Sequence, residues 1–295
     1  MKIILSRKGM DSGFAEIPSP IIQNENGKWE LYSLPIPSPY SDIKYNQLKL
    51  FKNFTIAKFI SDVNTSKRNI IQDKLCHLDP DIRKEYYSDR LENWKPNFGQ
   101  VKSAQSHLKN QKIACGDVFI FFGWFKKAEF KNGKFQYIYD KNYPNGFHAI
   151  YAYLQIDKIY EPNLDMNNVP YWLNYHPHVK YKDESEFNYP NNTIYVSSKE
   201  FKHSKIENKT GSGTFNFSDD LILTKKGQPY RTLWELPLSF HPKNKITLSY
   251  HNNLKRWSII DQKTNLKSVS RGQEFVFNEN RLIEDWCCNL INLNS

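Results

Sequence analysis

Cysteine is scarce in this 295-residue chain. Cys76, Cys115 and the adjacent pair Cys287-Cys288 are all there are, and no two stand in C-x-x-C spacing. That excludes a zinc ribbon and a thioredoxin-type redox centre. Long apolar runs are missing too: none approaches the roughly 20 residues of a membrane-spanning helix. The opening MKIILSRKG turns polar after three apolar residues, too soon for a secretory signal. The expectation is a reduced, cytoplasmic protein with no membrane partner. Glycine (12) and methionine (3) are few. There is no dinucleotide fingerprint and no P-loop, nor a nucleophile elbow, a kinase motif set or the H-x-E with P-C-x-x-C of zinc deaminases. Familiar enzyme motifs leave the chemistry open.

Aromatic residues are abundant. They make up 15% of the chain, with 19 Phe, 18 Tyr and 7 Trp, against a hydrophobic total of only 39%. Aromatic side chains must therefore fill much of the interior, which favours sheets, because they pack well on pleated surfaces. Lysine and arginine (41) outnumber aspartate and glutamate (31), for a net charge of +10. Such a balance suits a polyanionic partner, DNA or a nucleotide, through phosphate contacts and counterion release. The same lysines also fit an ordinary solvated surface.

Prolines 18, 20, 35, 37 and 39 exclude helix and central strands near the start, leaving extended or edge segments. Residues 44–62 have mixed periodicity and fit either helix or strand. SAQSHLKNQKI reads as a short helix. DVFIFFGWFKKAEF, KFQYIYD and FHAIYAYLQIDKIYE read as a three-strand meander turned at Asn132-Gly133 and Asn145-Gly146. NTIYVSSKEF is a further strand, and ITLSY with RWSII a closing hairpin. RLIEDWCCNLINLN is a helix with Leu282, Ile283, Trp286, Leu290 and Ile291 on one face. The fold expected is α+β, one β-rich domain over residues 1–295, with a β-barrel core at about residues 112–200 and peripheral helices.

Several constellations could carry chemistry. In CHLDPDIR, an extended chain puts His77, Asp79 and Asp81 on one face. That trio suits proton transfer or a divalent metal, and Asp-Pro-Asp equally suits a turn and helix cap. His176 and His178 flank Pro177; extended His-x-His can bind zinc, but local sequence supplies no further ligand. TGSGTF lacks the ending of a P-loop and fits a hairpin turn. Arg271 and Gln273, ahead of an apolar strand, are of the types that contact base edges or phosphates. No metal ligand set or cofactor follows from these patterns alone.

Two resemblances sharpen this. The Gly-Asp turn leading to GDVFIFFGWF, with FHAIYAYLQIDKIY after it, is similar to PUA-like and EVE-like barrels. Their pocket often holds a nucleobase, and here Trp124, Tyr151 and Tyr153 would be its walls, although Ala152 stands where related barrels often have glycine. The succession KIILSRKGMDSG, IPSPI, LPIPS, HLDPD, GDVFIFFGWF, HAIYAYLQI, NYHPHV, LTKKG and RGQEFV resembles the nucleotide modification associated domain 3 family, which is associated with DNA base hypermodification. The resemblance implies functional roles for Ser6, Arg7, Lys8, Asp11, His77, Asp79 and Asp81. As an enzyme, the chain would bind phosphate through Ser6, Arg7 and Lys8 and move protons with Asp11, His77, Asp79 and Asp81. As a reader of modified bases, it would hold a base near Trp124. Alternatives are a non-catalytic docking subunit of a restriction or anti-phage system, and a metal-dependent nuclease built on His77, Asp79 and Asp81.

Overall fold

The two longest strands, 14 residues each, form where the sequence is most continuously apolar. An unbroken apolar run is what a strand covered on both faces requires. The computed structural model describes residues 1–10, 17–64 and 74–295. Among these, ten strands share one mixed sheet: β1 (Ile3–Arg7), β2 (Ser19–Gln23), β3 (Trp29–Leu31), β4 (Asn97–Gln100), β5 (Val118–Lys131), β6 (Lys134–Tyr137), β7 (Phe147–Tyr160), β8 (Thr193–Ser197), β9 (Ser212–Thr214) and β10 (Glu274–Val276). The main path runs β10-β1-β5-β7-β8-β4. Only β1 and β5 are parallel along it. Four helices pack around the sheet: α1 (Ile56–Val63), α2 (Lys102–Asn110), α3 (Pro177–Lys180) and α4 (Arg281–Asn294). The architecture is α+β and β-rich, as the aromatic content implied.

The expected barrel is instead an open sheet: no backbone ladder joins β4 to β10 among the described residues. Both terminal strands are short, and the chain leaves β4 for α2 through Lys102 at φ +58°. Yet the sheet curls until its two ends meet through side chains. Gln100 Nε2 on β4 donates to Glu274 Oε1 on β10 at 2.8 Å. Phe98 of β4 packs its ring 4.9 Å from Phe119 and 5.3 Å from Phe121 of β5. Nor does the sheet stop at residues 112–200, since β1 and β10 come from the two ends of the chain.

Other expectations are amended. The Asn132-Gly133 hairpin forms, with φ of +52° and +78°. However, β7 does not pair with β6; both lie end to end along the same edge of β5, whose other edge takes β1 and β2. The 14-residue length of β5 makes room for this. Pro20 lies in β2, which is paired on both sides. Its carbonyl still accepts from Tyr32 N at 3.0 Å, so one missing N–H near a strand start is tolerated. RWSII does form a strand, Trp257–Ile260, but its partner is Lys263–Lys267 across Asp261-Gln262, both at positive φ. ITLSY contributes only a single bridge, Leu248 to Phe277. Residues 44–62 resolve into a small hairpin followed by α1, capped by Thr55 Oγ1 accepting from Lys58 N. On α4 the buried face includes Cys287 and Cys288, while Leu282 is exposed.

Candidate functional site

Strand alternation divides the SRK segment between two faces of the sheet. Ser6 lies beside Phe121 on β5 and Glu274 on β10. Lys8, two residues on, shares that face. Its Nζ sits 2.9 Å from Glu274 Oε1 and 4.2 Å from the Phe98 ring centre, with both charged side chains buried. Arg7 points the other way. It donates through Nη2 to Ser270 O at 3.0 Å, and its charge acts on His148 of the opposite face.

The face carrying Lys8 is where two separate sequence motifs converge. The two-residue strand Cys76–His77, paired with Ile36–Pro37, delivers His77 and then Asp79. Asp79 Oδ1 accepts the backbone N–H of Gly99 on β4 at 2.7 Å. The short helix α3 starts at His176, whose Nδ1 accepts from His178 N at 3.3 Å. The rings of His77, His176 and His178 form a triangle with centres 5.2, 5.5 and 5.1 Å apart. Gly99 lies against them for want of a side chain: a Cβ there would fall 2.6 Å from His178 Nε2 and 2.8 Å from His176 Cε1. His178 is fixed by Asn192, whose Oδ1 faces its Nδ1 at 2.5 Å while its Nδ2 donates to the His178 carbonyl.

Burial dominates the electrostatics. It holds His77 and His176 well below the ordinary histidine range, reinforced for both by the neighbouring imidazole of His178. Burial likewise pushes His178 down to about 3, against the opposing pull of Asn192. All three rings are neutral at pH 7. Burial raises Asp79 to about 7, although the charge of Lys8 and the Gly99 N–H both favour its ionised form. Nε2 of His77 and Nε2 of His176 are buried with no hydrogen-bond partner among the described residues. Each such orphan costs about 1–3 kcal/mol. A stable fold keeps this arrangement only if it is offset elsewhere or satisfied by a ligand.

Asp79 also lines a partly open cleft with Ser33, Arg83, Tyr86, Tyr151 and Thr214. Its free space of about 20 Å³ admits little more than a water molecule. Arg83 packs over Tyr32 and Tyr86, 4.7 and 5.4 Å from their ring centres.

Of the residues picked from sequence, the structure thus brings Ser6, Lys8, His77 and Asp79 to one face. Asp81 lies apart in function: its carboxylate is held by both Nη atoms of buried Arg90 and accepts from Tyr175 Oη at 2.5 Å. Trp124 stacks under Arg231 at 3.8 Å and donates to Asn145 O, away from the histidines. Arg271 and Gln273 are exposed beside β10, where Gln100 Nε2 reaches Gln273 Oε1 at 3.5 Å. Asp11 lies outside the described residues. Sequence reasoning noted His176 and His178 but gave them no partners, and it missed Gly99, Gln100 and Glu274. Nothing local marks those three, because their role comes from the meeting of β4 and β10.

The fold and this site define an α+β protein with a buried imidazole-carboxylate cluster opening at Asp79 onto a cleft. Residues 2–278 match the model of the nucleotide modification associated domain 3 family, and the chain belongs to that family. No curated protein and no solved structure matches it. Among the described residues, no helix is long and apolar enough to cross a membrane.

Proposed function

We propose that this chain is an enzyme of nucleotide or DNA base modification whose working groups are the seam cluster and the adjoining cleft, with residues 1–295 acting as one such domain. The observation that carries this reading is Asp79. It belongs at once to the buried cluster and to the cleft, and its carboxyl, raised to about 7, can both take and return a proton at neutral pH. His77 stands beside it as a neutral base. Tyr86 and Tyr151 offer aromatic walls for a base, and Arg83 offers a planar cation for phosphate. The narrow cleft takes the reacting edge of a base, with Arg83 and Tyr86 moving to admit more. Lys8 is already neutralised by Glu274. It therefore serves the cluster's electrostatics, and the anion contact on this side falls to Arg83. The net charge of +10 supports DNA or a nucleotide as partner. Companion proteins of a modification or anti-phage restriction system, in the cytoplasm, complete the reading.

The test is mass spectrometry of nucleosides from DNA of cells carrying the wild-type gene, the Asp79→Asn variant or no gene. A modified nucleoside present only with the wild type is expected. Identical nucleosides in all three, with no binding of nucleotide or DNA by the purified protein, would overturn the reading. Binding without turnover, lost on Trp124→Ala and kept in Asp79→Asn, would instead make the chain a reader.

A further inference from the structure

We propose that His77, Asp79 and His176 bind a divalent transition-metal ion. The inference deepens the reading of the seam cluster as the functional site and rests on it. Each motif falls short of a ligand set by itself, His-x-Asp supplying two donors and His-x-His lacking a carboxylate. The fold joins them. One ligand atom from each of His77, Asp79 and His176 lies within 4.8 Å of the other two. Around a tetrahedral ion, donors at ~2.0–2.1 Å sit roughly 3.3 Å apart, so the side chains close by about an ångström on binding. Ring centres of imidazoles sharing such an ion fall roughly 5.2 Å apart. The His77 and His176 centres are 5.2 Å apart here.

Three further observations point to a cation. The Nε2 atoms of His77 and His176 are buried and lack any partner among the described residues, although the rings are otherwise closely packed. Coordination through His176 Nε2 puts the ring proton on Nδ1 and gives up only the 3.3 Å contact from His178 N, among the longest hydrogen bonds of the cluster. Two carboxylates, Asp79 and Glu274, face one ammonium, Lys8, so the buried charge favours a further cation. Finally, the Gly99 amide fixes one oxygen of Asp79, the kind of outer contact that orients a metal-bound carboxylate. Two imidazoles with one carboxylate select zinc, iron(II) or cobalt(II), and not magnesium or calcium, which take oxygen ligands. Three protein ligands leave open positions, and Asp79 places them toward the cleft.

The experiment uses the full chain stripped with EDTA and titrated calorimetrically with zinc, with magnesium as control. Expected is one equivalent of zinc bound, no magnesium binding, and visible absorption typical of low-coordinate cobalt(II) when cobalt replaces zinc. Asp79→Asn and His176→Asn should each weaken zinc binding at least ~100-fold, while His241→Asn on the surface should not. If the variants fail to fold by circular dichroism, the wild-type cobalt spectrum decides without them. Absence of stoichiometric zinc binding, a cobalt spectrum like that of the free aqueous ion, or full affinity in both folded variants would overturn the metal site. None of these readouts involves a nucleotide. Zinc binding with unaltered nucleosides in the DNA would therefore overturn the modification reading and leave the metal site standing.

Discussion

Replacing Lys8 by methionine should cost far more stability than removing its ion pair altogether. The Lys8 ammonium lies 2.9 Å from Glu274 Oε1, and the side chains are only 8% and 1% exposed. At that separation and an effective dielectric of ~20, the gross attraction is about 6 kcal/mol. Desolvation of the two ions offsets most of it, so the pair's net contribution is small. Lys8→Met keeps the aliphatic stem over Phe98 but leaves the Glu274 charge buried, with only Gln100 donating to it and Oε2 unpartnered. Breaking one side of a buried pair typically costs about 3–5 kcal/mol. Glu274→Gln added to Lys8→Met removes the stranded charge and keeps an oxygen for Gln100. The double variant should recover about 2–4 kcal/mol of that loss. The assay is equilibrium urea unfolding at pH 7 on EDTA-treated protein, followed by tryptophan fluorescence and analysed as a double-mutant cycle. A Lys8→Met cost below about 1 kcal/mol, or a coupling near zero, would refute the view that this lysine is held in a dry seam.

Two further outcomes are expected. Gly99→Ala should destabilise by about 1–3 kcal/mol, because the new methyl would fall 2.6–2.8 Å from two imidazole rings, and His178 is fixed by Asn192. Wild-type stability with an unaltered near-ultraviolet circular dichroism spectrum would show that the rings do not pack on Gly99. Burial, aided by the charges of Arg231 and Arg7, pushes His148 down to about 3, and its Nδ1 accepts from Trp234 Nε1 at 3.0 Å. The unfolded chain takes up this proton near pH 6.5 and the folded chain does not. His148 therefore contributes stability that is full above about pH 6.5 and falls by about 1.4 kcal/mol per pH unit below it, down to pH ~3. His148→Asn retains an acceptor for Trp234 and should lose about 2 kcal/mol less than wild type between pH 7 and 5 in urea melts. Equal losses in the two proteins would count against a neutral buried His148.

Local rules read correctly wherever local physics decides. Continuous apolar runs produced β5 and β7, the Asn132-Gly133 pair produced a tight hairpin, and Lys102–Asn110 and Arg281–Asn294 are helices where periodicity put them. Those rules misled where a partner was remote. ITLSY has strand composition but little to pair with, and Pro20 tolerates a paired strand because neighbours on both sides supply the remaining bonds. The barrel was inferred from strand types alone, whereas closure depends on whether the end strands are long enough to ladder.

For the candidate site the division is sharper. Residue types and the order of motifs, read from sequence alone, placed the chain in its family and picked out SRK and HLD as chemically rich. They also implied a sheet filled with aromatics. Alternation along β1 sends Lys8 inward and Arg7 to the other face, but only the tertiary structure shows which face holds the histidines. Asp79 and Asp81, alike in sequence, part company because one accepts a lone backbone amide beside a cleft and the other is saturated by Arg90 and Tyr175. His176 gains a role only because the curled sheet carries β4 and its Gly99 between the loop of His77 and the start of α3. Chemistry at this seam depends on groups about a hundred residues apart in the chain coming within a few ångströms, and no local pattern encodes that distance.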